Sequence, residues 1–140
     1  ALIKKFCDAK INQNELVNCW GNGIPKREFM HVDDLAEACI FSLEKFNPSD
    51  KNSFRDDNGD ILNFLNVGTG KEISINQLAY KIAEIIDFKG KIYWECDKPN
   101  GTPLKRLDTS RLTSLGWKYS INLEKGLKET INCYLRKNHK

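Results

Sequence analysis

Apolar residues recur in short blocks along the chain, and their spacing switches between helical and extended. The opening ALIKKF reads as a turn of helix already under way. Val17 to Trp20 is a short apolar run closed by Gly21-Asn22-Gly23, and Glu28 to Val32 is a second extended candidate beyond Ile24-Pro25. Asp33 or Asp34 is a suitable helix N-cap, because a carboxylate accepts orphan backbone N–H groups and faces the positive end of the helix dipole. Leu35, Cys39, Leu43 and Phe46 follow at helical spacing and predict one buried stripe, ending before Asn47-Pro48. Residues 47–60, NPSDKNSFRDDNGD, are polar and rich in turn formers, so they read as a surface loop.

Ile61 to Val67 predicts a strand that ends at Gly68-Thr69-Gly70. Ser74 and Gln77 stand at capping-box spacing and open a helix with Leu78, Ile82, Ile85 and Ile86 on one side. Lys91 to Glu95 is a further strand, followed by a proline-stiffened loop, Lys98 to Pro103. A brief helix from Asp108 to Leu115 is expected to end at Gly116, and a last one begins near Asn122 with Leu123, Leu127, Ile131 and Tyr134 or Leu135 inward. Strands alternating with helices predict an α/β fold, mixed α+β as an isolated piece, with too few strands for a full doubly wound sheet. The opening lacks an initiator methionine, so the chain is expected to begin part-way through a parent protein.

With 140 residues the chain has room for one core. A net charge of +3, spread along the sequence, gives no electrostatic case for nucleic acid, and no apolar run reaches membrane-spanning length. The five cysteines, an odd number without a Cys-x-x-Cys pair, fit a reducing, cytoplasmic setting better than a disulfide framework. His31 and His139 supply no ligand spacing for zinc, so no metal is expected. No Gly-x-Gly-x-x-Gly follows a strand, and Gly68-Thr-Gly-Lys71 lacks the rest of a phosphate loop, so it reads as a plain strand-to-helix turn.

Three stretches carry a resemblance: VNCWGNGIPKREFMHVDDLAEA, LNFLNVGTGKEISINQLAYKIAEII and KPNGTPLKRLDTSRLTSLGW. Their order and spacing resemble the C-terminal, substrate-binding portion of the extended short-chain dehydrogenase/reductases, over nearly the whole chain. The first stretch is shared across nucleotide-sugar epimerases and reductases. KP-x-GTP-x-K-x-LD, followed by R-L-x-x-LGW, is more specific and is similar to the GDP-L-fucose synthase branch. The resemblance implies that residues 1–140 bind a GDP-sugar within a larger enzyme. That enzyme would epimerise C3 and C5 of a 4-keto sugar and then reduce C4 with NADPH. NADP(H) would be held mainly by a preceding Rossmann portion, and the parent would be a homodimer that binds neither nucleic acid nor membrane. Neither a Tyr-x-x-x-Lys motif nor a glycine-rich cofactor loop occurs here, so no catalytic residue is assigned and the isolated chain is expected to be inactive. The alternatives are the same portion of an enzyme acting on another nucleotide sugar, and a non-enzymatic anion-binding module.

By this resemblance the substrate-binding residues are Lys5, Trp20, Arg27, Asn100 and Lys105. Arg27 can fork two hydrogen bonds onto a diphosphate; it can equally be a surface residue paired with Glu28. Trp20 either lines the pocket or packs at a strand end. Lys5 is a phosphate contact or an exposed helix lysine like Lys4, whereas Lys105 is aimed by a stiff loop. Asn100 stands where the family commonly has Asp before GTP; an amide donates as well as accepts, which puts recognition of guanine N–H groups in doubt. His31 is expected to bond at the helix start, and Cys19 and Cys39 to be buried. Phe29, Tyr93, Trp94 and Trp117 are assigned to core or a domain junction. The tail from Arg136 to Lys140 is read as solvated.

Overall fold

The computed structural model describes residues 1–138; the His139 and Lys140 of the tail lie outside the described residues. The element order is α1 (Leu2–Ile11), β1 (Leu16–Trp20), β2 (Lys26–Glu28), α2 (Val32–Lys45), β3 (Glu72–Ser74), α3 (Ile75–Ile85), β4 (Lys91–Glu95), β5 (Leu104–Lys105), α4 (Ser110–Ser114) and α5 (Leu123–Asn138). This is a mixed α/β fold with two small sheets among the described residues: β1-β4, and β3-β2-β5. The chain folds as two compact units. The first comprises Ala1–Arg27, Glu72–Lys105 and the described residues from Leu123; the second comprises Glu28–Lys71 and Arg106–Asn122.

In the first unit β1 and β4 pair in parallel, Leu16 with Lys91 through Trp20 with Glu95. Alternation decides what β1 buries: Val17 and Cys19 point inward, and Leu16, Asn18 and Trp20 point outward. Helices α1, α3 and α5 supply the rest of the core with Phe6, Cys7, Leu78, Ile82, Leu127 and Ile131. The Phe6 and Phe88 rings meet edge to face, 5.7 Å between centroids. Helix α3 starts as its sequence predicts: Ser74 Oγ accepts from the Gln77 amide, and Gln77 Oε1 accepts from the Ser74 amide, each at 3.1 Å.

In the second unit Ala38, Leu112 and Trp117 form the buried cluster, with Met30, Phe41, Leu65, Val67 and Tyr119 against it. Four expectations change here. The N-cap of α2 is His31, whose Nδ1 accepts from the Asp33 amide at 3.3 Å, so both aspartates lie inside the first turn. The buried face of α2 carries Asp34 and Ala38, while Leu35, Cys39 and Leu43 are exposed. Residues 62–69 form no strand among the described residues, since a strand exists only where backbone partners are available. The only pairing seen there is the Arg55–Ile61 bridge, which closes the turn of the 47–60 loop, where Phe46 and Phe54 stack. Helix α4 begins at Ser110, two residues later than its spacing suggests, because the Asp108 carboxylate accepts the Ser110 amide at 2.9 Å ahead of the first turn.

Extended structure also sits elsewhere than expected around β2. The strand covers Lys26–Glu28 rather than 28–32, because Lys26 pairs with Leu104 and Arg27 with Lys105 on β5, a strand within what reads as loop. Of the aromatic residues assigned to core, Trp117 is buried and Phe29 and Trp94 are half-buried, whereas Tyr93 points to solvent from an outward position of β4.

Candidate functional site

The five predicted site residues all fall in the first unit, and local contacts link them in a chain. Trp20 ends β1 and is 67% exposed, so it does not serve as strand-end packing. Lys5, on the exposed side of α1, sets its ammonium 6.0 Å from the Trp20 ring centroid and donates to the Asn18 carbonyl at 2.8 Å. A cation at that distance is weakly attracted to an indole face and leaves the ring open to a flat ligand.

After Trp20 the chain turns sharply at Gly21, whose φ of +76° favours glycine. A Cβ at Gly21 would also collide with Asn100 Oδ1. That oxygen accepts from the Asn22 amide at 2.7 Å, so the loop before β5 lies directly on the glycine turn after β1. Gly101 continues the contact: a Cβ there would stand 3.4 Å from Arg27 Nη2. The Lys26 amide donates to the Pro103 carbonyl at 2.8 Å, which fixes the loop to β2.

Arg27 is half-buried and Lys105 is exposed. Their register pairing on adjacent strands projects both side chains from one face of the β3-β2-β5 sheet. Arg27 Nη1 donates to the Lys26 carbonyl at 2.6 Å. Among the described residues neither cation makes an ion pair with a carboxylate. Lys26, on the other face, is the one neutralised, 3.6 Å from Glu72. The result is two neighbouring cations beside a pinned Asn-Gly loop, with an exposed tryptophan and a third cation at the preceding strand end.

The sequence was compared with known proteins. The NAD dependent epimerase/dehydratase family matches residues 2–56. The chain is 43% identical to GDP-L-fucose synthase 1 of Arabidopsis thaliana over 97% of its own length and 38% of that protein's. It is 39% identical to the GDP-L-fucose synthase of Escherichia coli strain K12, over 96% of its length and 41% of the relative's. Its fold matches the GDP-mannoheptose C4 reductase from Campylobacter jejuni with NADP bound, at a TM-score of 0.73 and 29% identity, over 96% of this chain and 43% of that one.

This chain is similar to part of the proteins of that family. It spans about two fifths of the length of the curated relatives it matches. Several features of the site escape sequence reasoning. Glu28 follows Arg27 directly, yet its two oxygens accept backbone amides within the second unit: Gly70 at 2.6 Å and Leu107 at 3.1 Å. The surface pair between Arg27 and Glu28 is therefore not formed. The same carboxylate explains Gly68, where any Cβ would strike it. Asn22 was also missed. Its amide anchors Asn100, and its own side-chain oxygen accepts from Ile24 at 3.0 Å. The signal was available in the Gly-Asn-Gly spacing, since asparagine between glycines closes turns on its own backbone.

The remaining titratable groups are structural. Burial pushes the Cys7 and Cys19 thiols up, which makes them inert hydrophobes rather than nucleophiles. Cys39, expected to be buried, is exposed like Cys96 and Cys133. Lys4 is engaged by Asp8 at 2.9 Å and approaches the Tyr134 hydroxyl at 3.4 Å, so α1 and α5 are joined there. Among the described residues no group of His, Cys, Asp or Glu is placed to hold a metal, and no helix is long and apolar enough to cross a membrane.

Proposed function

We propose that this chain holds the nucleoside-diphosphate end of a GDP-sugar in an NADP-dependent GDP-L-fucose synthase. That enzyme epimerises C3 and C5 of GDP-4-keto-6-deoxy-D-mannose and reduces C4, giving GDP-L-fucose. The observation that carries this reading is the in-register pairing of Arg27 with Lys105, neither neutralised by a carboxylate among the described residues, beside the Asn100–Gly101 loop. A planar guanidinium suits two phosphate oxygens at once, an ammonium adds a point charge, and Trp20 offers a face for a base. Relatives named GDP-L-fucose synthase, at 43% and 39% identity, support the choice of sugar nucleotide.

The residues present do not fit the cofactor. The Gly68–Gly70 turn, the nearest thing to a phosphate cradle, already gives its Gly70 amide to the Glu28 carboxylate, and an anion there opposes a second one. In this reading NADP(H) is held by a Rossmann portion of the full-length protein, a homodimeric cytoplasmic enzyme. The work of this chain is binding and orientation: it fixes the diphosphate so that the 4-keto sugar reaches acid/base groups supplied elsewhere.

Calorimetric titration of the full-length protein tests the reading. Arg27→Ala should weaken GDP-sugar binding about ten- to a hundredfold, the worth of roughly 1.5–3 kcal/mol for a charge-assisted fork, and leave NADPH binding unchanged. Arg27→Lys should recover part of the loss. Unchanged GDP-sugar affinity in a folded Arg27→Ala protein would refute the site, and equal affinity for UDP- and dTDP-sugars would assign the chain to a sibling enzyme.

A further inference from the structure

We propose that Glu28 is a positioning residue for the ligand cations: its carboxylate holds β5 in register beside β2, so that Lys105 stands next to Arg27. This rests on the nucleoside-diphosphate reading above.

The β2–β5 ladder consists of two residue pairs, Lys26 with Leu104 and Arg27 with Lys105, and both residues of β5 are exposed. So short a strand has little of its own to fix its register. It is fastened at each end instead. At the near end the Lys26 amide donates to the Pro103 carbonyl at 2.8 Å. Beyond the last pair the fastening is a side chain: Glu28 Oε2 accepts from the Leu107 amide at 3.1 Å, just after β5. The other oxygen, Oε1, accepts from the Gly70 amide at 2.6 Å, just before β3, the neighbour of β2 on its other side. One carboxylate therefore ties the chain leaving β5 and the chain entering β3 to the end of β2.

The carboxyl group is seated by packing as well. A Cβ at Gly68 would collide with Oε1 and with the carboxyl carbon, so the glycine leaves a space that the carboxyl group fills. Two charge-assisted bonds to backbone amides need two acceptor oxygens, which a neutral or shorter side chain does not supply at this reach. The charge is spent on the face of β2 opposite Arg27, so Glu28 aligns the cations without neutralising them.

The sign of the effect separates positioning from charge. Glu28→Gln removes a negative charge near an anion site, and electrostatics alone would then tighten the anion. Lost positioning weakens it. Glutamine keeps one oxygen for two amides and turns its own N–H toward the other, so β5 is released at its far end while Pro103 still holds the near one. Lys105 is the cation that moves.

The test is calorimetric titration of GDP against full-length wild type, Glu28→Gln, Lys105→Ala and the double variant, with thermal melts to establish that each is folded. Glu28→Gln should weaken GDP binding about three- to thirtyfold, no more than Lys105→Ala does, and should cost nothing further once Lys105 is alanine. Equal or tighter GDP binding by folded Glu28→Gln would overturn the proposal. So would a loss that persists undiminished in the Lys105→Ala background, the mark of a general structural role. If Glu28→Gln does not fold, Glu28→Asp decides by the same cycle: it keeps the charge but is one methylene shorter and cannot span both amides, so wild-type affinity there would overturn positioning. GDP binding weakened by Arg27→Ala and untouched by Glu28→Gln would overturn this inference alone, whereas wild-type protein that does not bind GDP would overturn the nucleoside-diphosphate reading with it.

Discussion

Replacing Asp34 by asparagine is expected to destabilise the second unit by about 2–4 kcal/mol. Asp34 is 1% exposed, on the inner face of the first turn of α2. Its Oδ1 accepts from the Ser120 amide at 2.8 Å and the Ser120 hydroxyl at 2.9 Å, and its Oδ2 accepts from the Ile121 amide at 3.0 Å. Asparagine has the same shape but one acceptor. In its better orientation it keeps the two Ser120 bonds and turns an N–H toward the Ile121 N–H. One charge-assisted bond disappears, worth roughly 1.5–3 kcal/mol, and a buried donor is left without a partner, which adds about 1 kcal/mol or more. Ser120→Ala removes one bond of three and leaves both backbone donors satisfied, so about 1 kcal/mol is expected.

Acid should erase the difference. Burial pushes the Asp34 carboxyl up, but the amides of Ser120 and Ile121 and the Ser120 hydroxyl together outweigh it and hold the group below the ordinary carboxylate range. A carboxyl depressed in the folded state contributes stability that is present above its unfolded-state pKa and lost as pH falls through the folded value. The gap between wild type and Asp34→Asn should therefore be full at pH 7 and shrink on acidification below the ordinary carboxylate range. Urea unfolding followed by far-ultraviolet circular dichroism, run at neutral and acid pH, measures both. A neutral-pH difference under about 0.5 kcal/mol, or a gap that acid leaves untouched, would refute the reasoning.

Gly21→Ala should lower GDP-sugar affinity and cost about 1–3 kcal/mol, because alanine must adopt a φ of +76° and displace Asn100; wild-type affinity in that variant would show that the turn does not position the loop. The isolated 140-residue chain with NADPH and a 4-keto GDP-sugar should give no turnover, measured as absorbance loss at the nicotinamide band, since it holds neither a Tyr-x-x-x-Lys motif nor a cofactor loop.

How legible the fold was depends on whether an element's evidence is local. Helices α3 and α5 read clearly, because a capping box and a 3.6-residue apolar period lie within the element itself. Strands whose partners are distant did not. The run Ile61–Val67 has every local mark of a strand and finds no ladder, while Leu104–Lys105, in a loop by composition, pairs with a strand nearly eighty residues earlier. The α2 stripe failed differently. Leu35, Cys39 and Leu43 do share a face, as their spacing predicts, but periodicity says which residues align and not what covers them. Here the covered face is the one carrying Asp34 and Ala38, whose partners arrive from residues 112–121.

The site shows the same boundary at the level of single residues. All five ligand candidates came from motif resemblance, and the contacts that connect their loops, Asn22 to Asn100 and Lys26 to Pro103, span more than seventy positions and leave no periodic trace. One alternative was removable from the sequence. Pairing Arg27 with Glu28 assumes that neighbours in a chain are neighbours in charge, yet consecutive residues of an extended strand project to opposite faces. Once Lys26–Glu28 is read as a strand, Glu28 must be sought on the other side from Arg27, where it binds the Gly70 and Leu107 amides. Alternation thus separates this KRE triplet into Arg27 on one face and, on the other, two charges already engaged with Glu72 and with backbone amides. Of the three, only Arg27 is without an ion pair or amide partner for its charge among the described residues, which is the basis for proposing it as the ligand cation.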